Sequence, residues 1–224
     1  MGLFSLRTLA RVVLAMLSDP DPRTVWQLAS ELPSSVVKIG GSLLDLPDLA
    51  QRLDTLRPEW GPRPLVIVGG GLAADLVRAW DQQYQLGEER SHWLALDSLE
   101  LTARLLATLW PVACVATPRE VESIWKRASI PLVRARPWWE DAERTHAPTP
   151  PQTWETTTDT LAAWLASASG AESLWLLKSV ASPNSLAEAT RQELVDPQFQ
   201  KWAPAEIPTH WVNLRDMTHT QFHA

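Results

Sequence analysis

Short apolar runs that end in glycine and lead straight into helix-patterned segments constrain the fold of this chain most strongly. The first run, Ser35–Ile39, ends at Gly40 and Gly41, and the second, Leu65–Val68, ends at Gly69–Gly71. Apolar runs of this length are typical of buried strands, and the glycines that follow allow tight turns. Strand, turn and helix are therefore expected in succession at least twice.

Further strand candidates alternate with helical segments along the rest of the chain. Strands are expected at Val112–Ala116, Pro131–Ala135 and Leu174–Leu177, with another short run at His210–Leu214. Helices are expected at Leu43–Leu56, Leu72–Tyr84, Leu96–Trp110, Glu120–Ala128, Thr160–Ala168 and Leu186–Leu194. This alternation predicts an α/β fold in which helices cover both faces of a mostly parallel sheet, a three-layer αβα sandwich.

Two segments fall outside this alternation. Residues 1–33 are expected to form an N-terminal helical extension, closed by Pro33, ahead of one domain over residues 34–224. Residues 137–153 are rich in proline, charge and threonine, and predict a long surface loop. No apolar run reaches the roughly 20 residues that a membrane span needs, so no membrane partner is expected.

Composition narrows the classes of function. The net charge is −6 and no basic stripe is present, which argues against a nucleic-acid partner. The 13 tryptophans are dispersed without basic neighbours, which favours packing over base stacking. A single cysteine, Cys114, cannot form an internal disulfide and is expected to be a small buried hydrophobe. A reducing, cytoplasmic location is therefore expected.

Residues suited to phosphate binding follow the predicted strands. In such a sheet, ligands bind outside the carboxyl ends of the strands. Glycine turns expose N–H groups there, the helices that follow point their positive ends at the same place, and lysine supplies a point charge. Together these features predict phosphoryl transfer. The segments are Lys38-Ile39-Gly40-Gly41-Ser42, Gly69-Gly70-Gly71, Lys178-Ser179 and the helix start Thr158-Asp159.

Plainer interpretations of the same residues remain open. Each glycine pair can be an ordinary turn, each lysine a solvated strand end, and Asp159 a simple helix cap. The P-loop pattern is absent, whereas Gly69–Ala74 fits the loose G-x-G-x-x-A form of a dinucleotide fold. That fold needs an acidic residue at the end of the next strand, and Glu88 and Glu89 stand at the right distance without a strand before them.

Four segments resemble the amino-acid kinase family, which includes aspartate, acetylglutamate and uridylate kinases. They are Val37–Ser42, Leu65–Gly71, Thr158–Ala162 and Leu176–Val180, and they occur in the family's order across about residues 35–182. Within the family, the chain is most similar to the branch that phosphorylates aminomethyl-furan-methanol phosphate in methanofuran biosynthesis. The shared features are small size, Ser91-His92-Trp93, Trp154 before Thr158, and Leu177–Val180.

This resemblance implies roles for the residues, with ATP and Mg²⁺ as cofactors, a small-molecule acceptor and a homodimer. Lys38 and Lys178 would be catalytic, with Asp159 orienting their charges, and no residue is expected to ligate a metal directly. The transferred phosphate and the nucleotide would meet Gly40, Gly41, Ser42, Lys178 and Ser179. The acceptor would meet Gly69, Gly70, Gly71, His92 and Thr158.

The chain departs from the family's pattern in its nucleotide loop. The family continues with Val-Asp-Gly, whereas Val180 is followed here by Ala181 and Ser182. The later glycine-rich segment of larger members, which carries a further lysine, has no counterpart before Ala224. A non-catalytic module that kept the fold and binds a nucleotide or metabolite is therefore an open alternative.

Overall fold

The computed structural model describes residues 31–144 and 148–222, so nearly all of the predicted N-terminal extension lies outside the described residues. The strands are β1 (Ser35–Ile39), β2 (Pro64–Val68), β3 (Val112–Val115), β4 (Ile130–Val133), β5 (Leu174–Lys178), β6 (Thr209–Asn213) and β7 (Thr218–Phe222). The α-helices are α1 (Leu49–Leu56), α2 (Gly71–Tyr84), α3 (Glu88–Leu109), α4 (Pro118–Trp125), α5 (Ala135–Arg144), α6 (Thr158–Ser169), α7 (Leu186–Arg191) and α8 (Phe199–Trp202). Short 3₁₀ helices cover Gly41–Asp45 and Arg57–Trp60.

The seven strands form one sheet in the order β3-β4-β2-β1-β5-β6-β7. Every neighbouring pair is parallel except β6 and β7, which are antiparallel. The central strands β1, β2 and β5 are buried along their whole length, as expected when helices cover both faces of a parallel sheet. The predicted αβα sandwich is confirmed.

Each face of the sheet carries its own hydrophobic core. One face is packed mainly by α5, α6 and part of α3, and the other by α1, the 3₁₀ segments and the end of α3. Alternate residues of a strand point to opposite faces. In β1, Val36 belongs to the first core while Val37 and Ile39 belong to the second.

Several local predictions are corrected by the structure. The helix expected over Leu43–Leu56 is divided, because Pro47 lies between the 3₁₀ turn and α1. The helix expected from Leu96 begins at Glu88, so the preceding polar segment is its first two turns. The long loop expected at 137–153 is wrong over its first half, which lies in α5 and buries Trp138 and Trp139.

Further corrections concern exposure and the C-terminal segment. Cys114 is exposed on the edge strand β3 and is not the buried residue that was expected. The polar stretch around His219 pairs with β6 as the edge strand β7.

The tryptophans contribute to packing, as predicted, because four of them are among the largest fully buried side chains. In the described part of the chain, no helix is long and apolar enough to cross a membrane.

Candidate functional site

The two lysines of the predicted site project from neighbouring strands onto the same face of the sheet. Lys38 is two residues after Val36, and Lys178 is two residues after Leu176, so each shares a face with a residue of the first core. Strands β1 and β5 are adjacent and parallel, with Lys38 opposite Leu176. Helix α6 packs on this face and brings Asp159, its second residue, to the lysines.

Asp159 forms ion pairs with both lysines. Its Oδ1 lies 2.8 Å from Lys38 Nζ, and its Oδ2 accepts a hydrogen bond from Lys178 Nζ at 2.6 Å. All three residues are more than nine-tenths buried, with 6% of Lys38, 6% of Asp159 and 8% of Lys178 exposed. Buried charges are retained only where they are paired. One carboxylate therefore pairs with both ammonium groups.

Burial and pairing shift the pKa values of this cluster in a consistent way. Burial lowers the pKa of the Lys178 ammonium to about 8, aided by the charge of Lys38 and opposed by that of Asp159. Burial alone would raise the pKa of Asp159, but the charges of Lys178 and Lys38 outweigh it and hold that pKa below its ordinary value. Asp159 is thus ionised at neutral pH, and its lowered pKa makes it a poor general base.

The two glycine turns lie directly against each other. A Cβ atom on Gly41 would stand 2.1 Å from the amide nitrogen of Gly71 and 2.6 Å from its Cα. A Cβ on Gly69 would stand 2.8 Å from the Gly41 nitrogen. Gly71 has φ +49°, a left-handed conformation that glycine adopts readily. These glycines are therefore required for backbone packing, which brings the turns after β1 and β2 together.

The N–H groups of two predicted ligand-binding glycines are already used inside the sheet. Gly40 N–H donates to Leu177 O at 2.8 Å, and Gly69 N–H donates to Ile39 O at 2.9 Å. Both bonds continue the parallel ladder past the strand ends. The expectation that the Gly40 N–H group holds the transferred phosphate is corrected, and the Gly69 N–H group is likewise occupied and not open to the acceptor. The available donors begin one residue later, where the first N–H groups of the following helices lack intrahelical partners.

Serine hydroxyls connect the first turn to the segment after β5. Ser42 Oγ and Ser179 Oγ lie 2.9 Å apart. Ser42 lies inside the 3₁₀ turn, whose N-cap is Gly40. The Val180 carbonyl beyond Ser179 accepts a hydrogen bond from Trp211 Nε1 at 3.1 Å. Ser42 and Ser179 therefore lie together at an exposed position, where they connect the turn after β1 to the segment after β5.

The predicted acceptor contacts divide into two groups. Thr158 is the buried first residue of α6, adjacent to Asp159. His92 is only 6% exposed and packs against Trp139 at a centroid distance of 4.9 Å and against Trp93 at 5.7 Å. Burial lowers the pKa of His92 to about 4. A substrate contact is not open to a side chain packed in this way, so the interpretation of His92 as a packed aromatic residue is favoured.

Other parts of the site were not identified from the sequence. Lys178 Nζ donates to the Leu194 carbonyl at 2.6 Å, and the buried carboxylate of Asp196 accepts hydrogen bonds from the start of α6. Asp196 lies 39 residues from Thr157 along the chain, so no local sequence pattern predicts this contact. In addition, Trp154 Nε1 donates to Asp81 Oδ2 at 2.7 Å, which ties the segment before α6 to α2.

The dinucleotide interpretation and the possible metal ligands can be assessed against this geometry. Glu88 and Glu89 lie in the first turn of α3 and not at a strand end, so the dinucleotide interpretation loses its ribose-binding acid. Within residues 31–144 and 148–222, no group of three His, Cys, Asp or Glu side chains is arranged to hold a metal ion.

Comparisons with known proteins identify the fold. No family model matches the chain, and no curated protein does. Uridylate kinase from Archaeoglobus fulgidus superimposes with a TM-score of 0.54 and 18% identity over 79% of this chain and 88% of that one. UMP kinase from Ureaplasma parvum superimposes with a TM-score of 0.56 and 10% identity over 84% of this chain and 93% of that one. UMP kinase from Bacillus anthracis superimposes with a TM-score of 0.53 and 11% identity over 86% of this chain and 100% of that one. The chain therefore has the fold of these uridylate kinases.

Proposed function

We propose that this protein is an ATP-dependent small-molecule kinase that transfers the γ-phosphoryl group to an anionic phosphate or carboxylate oxygen. The observation that carries the proposal is the Asp159 carboxylate between the buried ammonium groups of Lys38 and Lys178, beside two interlocked glycine turns. A chain that needed these residues only for folding would gain little from burying three charges. The fold of the uridylate kinases supports the same class of reaction.

The residues fit the requirements of phosphoryl transfer. Lys38 and Lys178 would neutralise the charge on the transferred phosphoryl group, and the N–H groups of Gly41 and Ser42 would bind its oxygens. The acceptor oxygen is already anionic, so it attacks phosphorus without a general base. Its bond to phosphorus forms as the bond from the γ-phosphorus to the bridging oxygen breaks, and ADP leaves with that electron pair. Mg²⁺ bound with ATP would supply further positive charge for the phosphates, and few protein residues would ligate it directly.

The acceptor that we propose is [5-(aminomethyl)furan-3-yl]methyl phosphate or a related cofactor precursor. This choice rests on the sequence resemblance at Ser91-His92-Trp93, Trp154 and Leu177–Val180. The packed position of His92 weakens one part of that resemblance. The solved neighbours, by contrast, are named for UMP, so UMP is the first competing acceptor to test.

The test is release of ADP from Mg²⁺ and ATP with a panel of acceptors. The panel contains the furan phosphate, UMP, aspartate, acetylglutamate and isopentenyl phosphate, and Lys38→Met serves as the inactive control. Release with the furan phosphate alone supports the full proposal. Release with another acceptor supports the proposed kinase activity and contradicts the proposed furan acceptor. ATP binding without release for any acceptor contradicts the kinase proposal.

A second candidate is a non-catalytic module that binds a nucleotide or metabolite. The observation in its favour is that Lys178 Nζ already donates to both Asp159 and the Leu194 carbonyl, which leaves at most one of its three N–H groups for a ligand. This module would bind ATP with an affinity that Lys178→Met hardly changes. A kinase would instead lose turnover in that variant.

We also propose a homodimer built on the α2–α3 hairpin. Of the nine large hydrophobic side chains exposed in the described residues, seven lie on these two helices. They are spaced four residues apart, at Leu72, Leu76, Trp80 and Tyr84 on α2 and at Leu101, Leu105 and Leu109 on α3. Monomeric proteins rarely expose a contiguous apolar patch of more than a few hundred Å². A regular row of this kind can pack on its own copy about a two-fold axis.

The charges near this patch favour a second copy as its partner. Arg78 pairs with Asp75 at 2.7 Å, and Arg104 pairs with Glu100 at 2.9 Å, each within one helix. Identical surfaces that carry a net charge repel each other, whereas internally paired charges do not. A stable dimer buries about 800 Å² on each partner, an area that seven large side chains with their flanking residues can supply.

A further inference from the structure

The segment after α7 contacts both partners of the Asp159–Lys178 ion pair. Lys178 Nζ donates to the Leu194 carbonyl and to Asp159 Oδ2, each at 2.6 Å. Asp196 follows Leu194 by two residues and is 7% exposed. Its carboxylate accepts a hydrogen bond from Thr157 N at the start of α6. The proposed catalytic roles make no use of this buried carboxylate, so its presence needs its own explanation.

Asp196 accepts hydrogen bonds from both ends of the first turn of α6. Its Oδ2 accepts from Thr157 Oγ1 at 2.7 Å, from Thr157 N at 3.2 Å and from Thr160 N at 3.1 Å. Its Oδ1 accepts from Thr160 Oγ1 and from Gln198 N. N–H groups in the first turn of a helix have no intrahelical partner, and the helix dipole favours a negative charge there. Asp159 lies within this turn.

The end of α7 places Leu194 and Asp196. Glu193 N–H donates to Thr190 O at 3.1 Å, and Leu194 N–H donates to Ala189 O at 2.8 Å, the two hydrogen bonds of a Schellman turn. Glu193 has φ +56°, the left-handed conformation that such a turn requires and that a residue other than glycine adopts only at some cost. This turn directs the Leu194 carbonyl toward Lys178.

We propose that Asp196 is a positioning residue of the kinase site, an inference that rests on the function proposed above. Its carboxylate fixes the first turn of α6 and thereby holds Asp159 between Lys38 and Lys178, without touching a substrate. Its negative charge also acts on Lys178: burial is the main cause that lowers the Lys178 pKa, and Asp159 and Asp196 both oppose it. Loss of Asp196 therefore acts on Lys178 directly and through Asp159.

An ordinary helix cap is the competing explanation. Removing a cap destabilises a protein by about 1 kcal/mol and has no effect on a lysine elsewhere. Thr117 provides a matched control, because it forms a capping box with Glu120 at the start of α4 and is not part of the site. Thr117→Ala reports the consequence of cap removal alone, and Asp196→Asn reports the loss of the charge and of one acceptor oxygen together with any positioning effect.

The experiment is an NMR titration of protein labelled with ¹³C-lysine, combined with steady-state kinetics. The chain contains four lysines, so the Lys178 resonance can be assigned with single Lys→Arg variants. In Asp196→Asn, we expect the Lys178 pKa to fall by about 1 unit. We also expect kcat to fall by about 10- to 100-fold while KM for ATP changes little. In Thr117→Ala, we expect neither change.

An unchanged Lys178 titration in Asp196→Asn would reduce Asp196 to a cap and overturn the inference. If Asp196→Asn does not fold, Thr160→Val removes one side-chain hydrogen bond to Asp196 and leaves its charge in place. A smaller fall in the Lys178 pKa in that variant supports the inference, whereas an unchanged pKa opposes it. The titration does not depend on turnover. A wild-type protein that transfers no phosphate therefore removes the kinase proposal, while the titration still decides whether Asp196 positions Asp159 and Lys178.

Discussion

Asp159 Oδ2 lies 2.6 Å from Lys178 Nζ at the carboxyl end of β5, and neither side chain is more than 10% exposed. With so little water nearby, the two charges depend on each other and on Lys38. Burial brings the pKa of Lys178 to about 8, within the range in which an enzyme can be assayed. The state of this lysine can therefore be followed through both activity and stability.

The first prediction concerns the pH dependence of activity. We expect kcat/KM to decline above about pH 8, because Lys178 then loses the charge that would stabilise the transferred phosphoryl group. The measurement is kcat/KM across the alkaline range at constant ionic strength. The residual activity of Lys178→Met is expected to lack this decline. A wild-type profile that stays flat well above pH 8 would rule out a role for charged Lys178.

The second prediction concerns the free energy of unfolding. The pKa of Lys178 in the folded protein, about 8, is below the ordinary 10.5, so the unfolded chain binds this proton more tightly between those values. The contribution of Lys178 to the free energy of unfolding therefore increases as pH rises from about 8 to 10.5. Urea denaturation of the wild type and of Lys178→Met at several pH values measures it. The difference in the free energy of unfolding between the two proteins should change only between about pH 8 and pH 10.5.

The third prediction is that Asp159→Asn is severe in both stability and activity. The variant removes the one carboxylate that pairs with both buried ammonium groups, which should lower the free energy of unfolding by about 3–5 kcal/mol near neutral pH. The loss should be smaller above pH 8, where Lys178 is neutral in both proteins. Phosphoryl transfer should fall by at least about 100-fold.

Asp54→Asn is the control for this variant. Asp54 accepts a hydrogen bond from Trp110 Nε1 at 2.8 Å and is paired with no lysine. We expect a loss of about 1 kcal/mol with no pH dependence above neutrality and no loss of activity. If Asp159→Asn behaves like this control, Asp159 only stabilises the first turn of α6 and has no role in activity.

The sequence was sufficient to predict the central strands and most helices, because these depend on local patterns. Apolar runs identified β1, β2 and β5 within one residue, and glycines follow the first two of these runs. Helix α5 was missed because Pro137 and the charged residues that face solvent obscure the apolar side formed by Trp138 and Trp139. Strand β7 is largely exposed at the sheet edge, so it lacks the apolar pattern that marks the other strands.

The site was predictable only in part, for a physical reason. The two-residue period places Lys38 with Val36 and Lys178 with Leu176, but only the packing of α6 decides that Asp159 meets both lysines. Asp196 reaches the same turn from another segment, and such a contact leaves no local signal. His92 shows the converse, because the family resemblance implied a substrate contact for a side chain that is packed against Trp139 in the core.

The fourth prediction tests the contact between the glycine turns. Gly41→Ala should be strongly destabilising and should abolish ATP binding, because its Cβ would stand 2.1 Å from the Gly71 nitrogen and neither backbone can move aside without separating the turns. Gly87→Ala is the matched control, with φ +82° but nothing within 4 Å of an added Cβ. It should lose only about 1–3 kcal/mol and keep ATP binding. Thermal unfolding and calorimetric titration with ATP measure both. Equal losses in the two variants would mean that the close approach is unimportant.

The last prediction concerns the apolar rows on α2 and α3. If a second copy covers them, the wild type should sediment as a dimer, and Leu76→Glu should shift it to monomer, because a charge at the centre of the row cannot be buried without a partner. Leu32→Glu is the control, since Leu32 is 46% exposed, similar to Leu76 at 50%, but lies off the hairpin. Analytical ultracentrifugation measures both variants. A monomeric wild type at all concentrations would remove the dimer proposal, and dissociation by Leu32→Glu alone would place the interface at the amino ends of the strands, away from the glycine turns.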